Sequence, residues 1–581
     1  MDKIFNIKIN GKELEYKIPV NYIEVTNAVN NIPFCIVKLY EFTNVDNEFL
    51  LNNNDLKIGA DVEIEYKDDN DKSKIFSGVI VNKSFILDSD IEESYVVLKC
   101  YHKFFNMTIS NKCHYFLDKT DKEIIEDIVS KYGYTVELGD MPLKRDFFYQ
   151  NNISDWNFIN NIARFYGYVV DVDIEKDKLI INKPNKNSSN QKISLGNNVI
   201  NINLTVDGES QIDSYEGKYW DIKKQSCSNV ESTNNSVENS FGNIKSSELI
   251  KNTGNQKSNI INDSFNEKEY KTCLNGFVEL NRYSKIQGNI TILGNKDIKQ
   301  NTTVEINNFS DVFKGNAYVN KVQHIYKNEQ SGWITKVYIG LKKQDNFNNI
   351  KDNFNISNIV GLKYGIVLKI DGDPENNFRV FVNIPTINKP EEGLWCRISS
   401  IYASNNCGIT FLPEKGDEVI LGFIENNPKE PIIIGNVYNS KNKSSVTIDA
   451  ENNIKSIKTK SGMEINFNEK DKIIKISTDD KRSITISDKN KSIEMLNENE
   501  KIFINKDSIE IKSSKDIKLD GNNISLNAKS SINIKGNNEV KIDGNNIKVN
   551  GNIGANIKGG TSTKIESSGI TEIKGSMVKI N

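Results

Sequence analysis

A chain of 581 residues is long enough for several domains. Its net charge of -3 supplies no basic field to recruit nucleic acid or an anionic membrane. Charged residues make up 26% and hydrophobic residues 37%, low for one large globular enzyme and natural for a polar-coated fibre. The 7 cysteines (Cys35, Cys100, Cys113, Cys227, Cys273, Cys396, Cys407) are scattered, which is no disulfide framework and suits a reducing cytoplasm. The opening stretch, Met1 to Lys17, has no apolar secretory core, and no run of apolar residues is long enough to span a bilayer. The expectation is a protein made in the cytoplasm without a signal peptide.

The first two hundred residues read as mixed α/β. Asn10-Gly11 is a hairpin turn between Asn6–Ile9 and Leu14–Ile18. Phe34–Phe42, Asp61–Tyr66, Lys74–Asn82 and Tyr95–Tyr101 alternate as strands. The period then changes. Asp121–Tyr132 places Ile124, Ile125, Ile128, Val129 and Tyr132 at helical spacing, with a cap around Thr120 and Glu123. Ser154–Tyr166 is a second helix, with Ser154 as its N-cap and Gly167 as its stop. Strands Tyr168–Ile174 and Lys178–Asn182 follow.

In this region Phe148–Asp173, FYQNNISDWNFINNIARFYGYVVDVD, resembles a motif of the VgrG spike family and of phage tail hub proteins. There a polar turn precedes a helix that ends in an aromatic-Gly pair and a strand. The upstream Phe116–Tyr134 resembles the helix before it, and Gly315–Leu341 resembles a later strand pair of the same hubs. Between them, Ser226–Lys257 is rich in Ser, Asn, Thr and Lys and reads as a long surface loop or insertion. From Cys273 onward strands return at Lys285–Leu293, Thr302–Ile306, Gly315–Tyr326 and Trp333–Leu341. Gln344–Ile359 reads as a linker.

Val360–Tyr438 carries five short strands separated by polar loops, which indicates a small barrel. It resembles the OB-fold domain of VgrG and phage baseplate spikes. The motif residues are Asp373, Pro374, Trp395, Pro413, Gly416, Asp417, Gly422 and Gly435. Oligonucleotide binding, a common use of OB-folds, does not fit here, because no basic groove with interleaved aromatics is present. Cys396 and Cys407 read as small buried residues. Thr459–Gly462 and Glu464–Phe467 resemble the family's hinge hairpin between barrel and shaft. Beyond it, Ile484/Ile486, Ile493/Met495 and Ile502/Ile504 recur at nine-residue steps.

The repeat then tightens. Apolar-x-apolar pairs at Ile502/Ile504, Ile509/Ile511, Ile517/Leu519, Ile524/Leu526, Ile532/Ile534, Val540/Ile542 and Ile547/Val549 recur mostly every seven or eight residues, and Ile557, Ile565, Ile573 and Ile580 keep the beat. Period-two alternation is a strand with one buried face, and the Asp-Gly-Asn-Asn groups are turns. Two or three apolar side chains per unit cannot form a core alone. Either successive units close into a single-chain β-helix, or three chains each supply one face. No longer period distinguishes three faces within one chain, which favours three-fold chain symmetry.

A search for chemistry returns little. No GxSxG, HExxH, P-loop or βαβ dinucleotide motif occurs. The three histidines, His102, His114 and His324, are a poor stock for acid/base work. Glu92-Glu93 and Glu391-Glu392 read as solvated loop pairs. No catalytic, cofactor or metal site is expected. The alternatives are a β-helical glycan-degrading tailspike, which needs paired carboxylates, and a surface adhesin, which needs a secretion signal or anchor.

The expected fold class is mainly β with some α+β: phage-hub-like β domains over 1–345 (insertion at 226–257), a linker over 346–359, an OB-fold barrel over 360–440, a hinge and shaft start over 441–501, and an intertwined triple-stranded β-helix over 502–581. The resemblance implies a homotrimeric spike of a contractile injection machine, whether phage tail, tailocin or type VI-like, that caps the inner tube and pierces a target envelope. The expected trimer core is Ile502, Ile504, Ile509, Ile511, Ile517, Leu519, Ile524, Leu526, Ile532, Ile534, Val540, Ile542, Ile547, Val549, Ile557, Ile565 and Ile573. The implied partners are the inner tube protein, baseplate components, a separate PAAR-like tip protein docking on Met577, Val578 and Ile580, and cargo effectors. Delivery or release outside the cell would follow.

Overall fold

A computed structural model describes residues 5–580 except 16–17, 42–48, 69–70, 90–93, 187, 223, 233–240, 255–256, 262–264, 329–331 and 342–357. The chain forms two units, Met1–Lys443 and Ser444–Asn581. Almost all of the 346–359 linker, and Glu92-Glu93, lie outside the described residues.

In the first unit, alternating strands assemble a 13-stranded sheet. It runs from Val199–Val206 through Ile286–Leu293, Gly332–Ile339, Gly315–Lys327, Val20–Ala28 and Phe34–Tyr40. It continues through Tyr95–Tyr101, Asp71–Ile86, Asp61–Asp68 and Phe5–Ile9 to Lys12–Glu13. Strict alternation decides which face is core. In Phe34–Tyr40, Cys35, Val37 and Leu39 are buried and their neighbours are half-exposed. Asn10 and Gly11 take positive φ in the first hairpin, as the Asn-Gly pair predicts.

A second core gathers around helices. Helix α1 (Asp121–Ser130) opens on a capping box between Thr120 and Glu123. Helix α2 (Asp155–Phe165) is capped by Ser154, whose Oγ accepts from the Asn157 amide, and is followed by Gly167 at φ +71°. Both helices agree with the sequence reading.

The 226–257 stretch needs correction. It contains a strand, Ser226–Glu231, and helix α3 (Ser246–Thr253), and a further strand begins at Lys257. Ser226–Glu231 and Lys257–Ile261 flank Ser214–Asp221 in one sheet, so much of the polar stretch is built structure. Helix α4 (Glu267–Arg282) was also missed: Cys273 begins no strand but sits fully buried inside it. Its signal was legible, because Asn266 and Glu269 form a capping box ahead of Tyr270, Cys273, Leu274 and Phe277.

The barrel closes in the order Lys363–Lys369, Val380–Asn383, Leu394–Ile398, Pro431–Asn436, Glu418–Phe423. It belongs to the first unit because the strand Lys144–Ser154 grips it. Phe147 and Tyr149 of the strand Lys144–Ser154 join the barrel core of Val367, Val380, Val382, Val419 and Leu421. Tyr115 donates its hydroxyl to Glu392. So Glu392 is a docking residue, where the sequence reading had only solvation. A buried ion cluster adds to the grip. Arg145 holds Asp121 through Nε (2.9 Å) and Nη2 (2.9 Å) and also binds Glu269, which in turn binds Lys429 of the barrel. The flanking cations hold the Glu269 carboxyl below its ordinary range despite a burial cost that pushes the other way.

Candidate functional site

The site is a face in the second unit. Ile454–Lys458, Glu464–Asn468, Ile473–Ser477, Arg482–Ser487, Ser492–Asn497, Glu500–Ile504 and Ile509–Lys512 form a seven-stranded antiparallel meander. The Thr459–Gly462 turn, with Gly462 at φ +90°, joins the first two. Each later strand folds back on the one before it.

The register aligns apolar residues into two columns. One pairs Ile457 with Ile465, Ile465 with Ile476, Ile476 with Ile484, Ile484 with Met495, Met495 with Ile502 and Ile502 with Ile511. The other pairs Phe467 with Ile474, Ile474 with Ile486, Ile486 with Ile493, Ile493 with Ile504 and Ile504 with Ile509. Because residues i and i+2 share a face, both columns line the same side. A groove of about 720 Å³ follows the first column and one of about 620 Å³ the second.

The sheet is inside-out. In the strand Arg482–Ser487, Ile484 and Ile486 are exposed while Ser483 and Thr485 are half-buried. In Ser492–Asn497, Ile493 and Met495 are exposed while Ser492, Glu494 and Leu496 are half-buried. Lys501 pairs with Glu494 across the opposite face at 3.0 Å. A monomeric sheet buries its apolar side; this one presents it to water, which marks an interaction face.

Downstream the strands stop. The sequence reading placed strands along the whole of 502–581, but among the described residues no strand follows Lys512. Strand lengths of 5 or 6 residues give way to 4 at Ile509–Lys512 and then to none. The step between units shortens from nine residues at Ile484, Ile493 and Ile502 to seven or eight beyond Ile502, which leaves fewer residues for ladder bonds once a turn is closed within one chain. The expected core side chains are accordingly open: Ile517 53%, Ile534 68% and Ile557 77% exposed. Ile502, Ile504, Ile509 and Ile511 stand on the meander, whereas Leu519, Ile524, Leu526, Ile532, Val540, Ile542, Ile547, Val549, Ile565 and Ile573 lie exposed in the strandless segment. Met577, Val578 and Ile580 are exposed too. The face was therefore drawn too short in sequence: Phe467, Ile474, Ile476, Ile484, Ile486, Ile493 and Met495 belong to it.

The barrel motif residues shape turns and packing. Asp373 accepts from Arg379 Nε (3.0 Å) and Nη2 (2.7 Å) and from the amides of Glu375, Asn377 and Arg379, which holds its carboxyl far below the usual range. Pro374 is in that turn. Trp395 packs on Phe381 with ring centres 5.1 Å apart, and Pro413 is buried. Gly416 turns at φ +92°, and Asp417 accepts from the Glu414 amide at 2.9 Å. A Cβ on Gly422 would meet Ile434 at 2.9 Å; Gly435 lies open. Cys396 is buried as expected, but Cys407 is exposed on a short hairpin, which corrects that reading.

Two of the three histidines, His102 and His324, are buried. His324 is buried, 3.2 Å from Thr335 Oγ1, and burial pushes it down to about 4. Burial does the same for His102, against the pull of Asp177 at 3.2 Å. Partial burial and the nearby Lys131 charge also lower His114. Among the described residues no group of three or more His, Cys, Asp or Glu could hold a metal ion, and no helix is long and apolar enough to cross a membrane.

Residues 3–328, more than half of the chain, match the family model described as the Alg8 N-terminal domain. The chain belongs to that family. Residues 363–438, which span the barrel, match the type VI secretion system/phage-baseplate injector OB domain. The chain is 34% identical over 111 residues to the type VI secretion system spike protein VgrG1b of Pseudomonas aeruginosa, taking in 18% of this chain and 14% of that protein. It is 38% identical over 78 residues to VgrG1a of the same organism, 13% of this chain and 12% of that protein. The chain thus spans a small part of the curated relatives it matches. A solved Francisella PdpA–VgrG complex shares the fold, with a TM-score of 0.51 and 10% identity over 84% of this chain and 79% of that one. The resemblance to VgrG-like hub-and-spike proteins is borne out.

Proposed function

We propose that this chain is the structural spike of a contractile injection machine, working as a homotrimer that caps the inner tube and pierces a target envelope. The inside-out meander is the observation that carries this reading. The exposed Ile and Met of its two columns are already partly covered within one chain (Ile484 is 40% exposed), so completing the cover would contribute on the order of 1 kcal/mol apiece. Three copies related by a three-fold axis would bury all three apolar faces against one another and leave the lysine and glutamate faces in water. A prism of that kind has its strands paired and its core along its axis, which suits a shaft loaded end-on. Residues 1–345 serve as the hub, 360–440 as the OB barrel and 441–581 as the shaft.

Its role is mechanical rather than enzymatic. The inner tube protein and baseplate components would meet the hub, a separate PAAR-like protein would cover Met577, Val578 and Ile580, and cargo effectors would ride on the assembly. The Francisella VgrG is in a complex with PdpA, which supports a second protein as a partner here. The protein would be made in the cytoplasm and leave it with the particle. Immunogold labelling of purified contractile particles tests the reading. Label confined to one end of the inner tube is expected; particles that lack the chain, or carry it along the sheath, would overturn it.

A further inference from the structure

We propose that Cys35 and Cys100, opposed across two neighbouring strands of the 13-stranded sheet, form an oxidation site, where hydrogen peroxide joins them into a disulfide that staples the first unit. The geometry of the pair is independent of the proposed function. That reading enters only as the reason the chain meets oxidants, since it leaves a reducing cytoplasm with the particle.

The register brings the two residues together. Phe34–Tyr40 and Tyr95–Tyr101 run antiparallel, and Cys35 stands directly opposite Cys100. Directly opposed residues have Cα atoms about 4.5 or 5.5 Å apart, according to whether they exchange ladder bonds. A disulfide bridges Cα separations of about 4.4–6.8 Å. Either kind of pair is therefore within reach. Opposed side chains leave the same face of a sheet, and both cysteines are fully buried in one core with Val37, Leu39, Val96 and Leu98. The other cysteines have no such partner. Cys227 is opposite Trp220, Cys396 opposite Val380 and Cys407 opposite Ser404. Cys273 is inside α4, and the strand that pairs with that of Cys113 holds no cysteine.

The reaction balances on these two thiols and one peroxide. The first sulfur attacks a peroxide oxygen, the O–O bond breaks, and a sulfenic acid and one water form. The second sulfur then attacks the first, the S–S bond forms, and the hydroxyl leaves with the remaining thiol proton as a second water. The thiols lose two electrons, which the peroxide takes up. Burial pushes the Cys35 thiol up, and the neighbouring Cys100 adds to this. Burial also pushes Cys100 up to about 12. Few thiolates form while the ladder is closed, so the reaction is slow and follows local opening. The pair is next to the end of its ladder at Phe34 and Tyr101, where opening costs least.

The bridge closes a loop that runs from Phe34–Tyr40 through Asp61–Asp68 and Asp71–Ile86 to Tyr95–Tyr101. A chain closed in this way gains less entropy on unfolding. Opposed Cβ atoms stand about 4.5–5.5 Å apart in a ladder, against about 3.5–4.5 Å in a disulfide. The bridge therefore draws the strands together, and a thiol reductant removes it readily.

The test uses the full chain, with exposed Cys113, Cys227 and Cys407 first blocked by a maleimide. Hydrogen peroxide is added, and digests are read by mass spectrometry. The peptides of Cys35 and Cys100 are expected to be joined, lighter than their sum by two hydrogens, and separated again by dithiothreitol. Urea unfolding of the oxidised chain should need more denaturant, and dithiothreitol should restore the original midpoint. Cys273→Ala should keep both the bridge and the shift, whereas Cys100→Ala should lose both. Recovery of Cys35 and Cys100 as separate thiols or sulfinic acids would overturn the inference, as would a bridge that leaves the midpoint where it was. None of these outcomes bears on the spike reading, which stands or falls with the labelling of particles.

Discussion

The two units use the same alternating code to opposite ends. In the strand Phe34–Tyr40 the apolar set faces inward and Cys35, Val37 and Leu39 are buried. In Arg482–Ser487 the apolar set faces outward and Ile484 and Ile486 are exposed. Period-two patterning states that one face of a strand will be covered, and says nothing about whether this chain or another covers it. The first unit finds its cover in its own helices and strands. The second leaves its cover to be supplied.

Removing a charge from the first unit should have the largest effect on its stability. Arg145→Met leaves the Asp121 and Glu269 carboxylates buried with one cation fewer. About 3–5 kcal/mol should be lost from Met1–Lys443 in urea unfolding, with the mass of the assembly unchanged. Leu421→Ala, in the barrel core that Phe147 and Tyr149 of the hub complete, should cost about 2–5 kcal/mol.

Acid should act on the same unit. His102 and His324 are held near 4 by burial, below the usual 6.5 of an unfolded chain. Between those values the unfolded state binds the proton and the folded state does not. Stability is therefore lost as pH falls from about 6.5 to 4, by up to roughly 3 kcal/mol for each. Asp171 is pushed up to about 6 by burial and opposes this, since its contribution is lost as pH rises toward 6. Melting temperature against pH for His324→Gln should show a shallower acid slope than the unsubstituted chain. Thr120→Ala, which breaks the capping box of α1, should cost about 1 kcal/mol.

The smallest effect on the first unit, and the sharpest contrast, is expected in the meander. Ile474→Ser with Ile502→Ser alters exposed positions, so unfolding of Met1–Lys443 should shift by less than about 0.5 kcal/mol. Self-association, followed by sedimentation, should weaken instead.

What was legible in the sequence follows the same division. Local signals worked: Thr120 with Glu123, Ser154 before its helix, the Asn10-Gly11 turn, and the barrel from Gly365 to Gly435. Where composition stood in for pattern, the reading failed. Ser226–Lys257 is polar enough to pass for a loop, yet its strands pair with Ser214–Asp221, a partner set by tertiary context. Helix α4 was hidden behind it despite a capping box at Asn266. At the shaft, the apolar dyads from Ile502 to Ile573 are exposed, and among the described residues no strand follows Lys512. An apolar-x-apolar pattern names the face of a strand that will be covered and not the partner that completes its ladder.

The central claim is that the first unit is complete in one chain and the second is completed by two more copies. Light scattering of the purified full chain tests it most directly. The account predicts a mass about three times the 65.9 kDa of one chain. A particle of 65.9 kDa, with the isoleucine columns still in water, would contradict it.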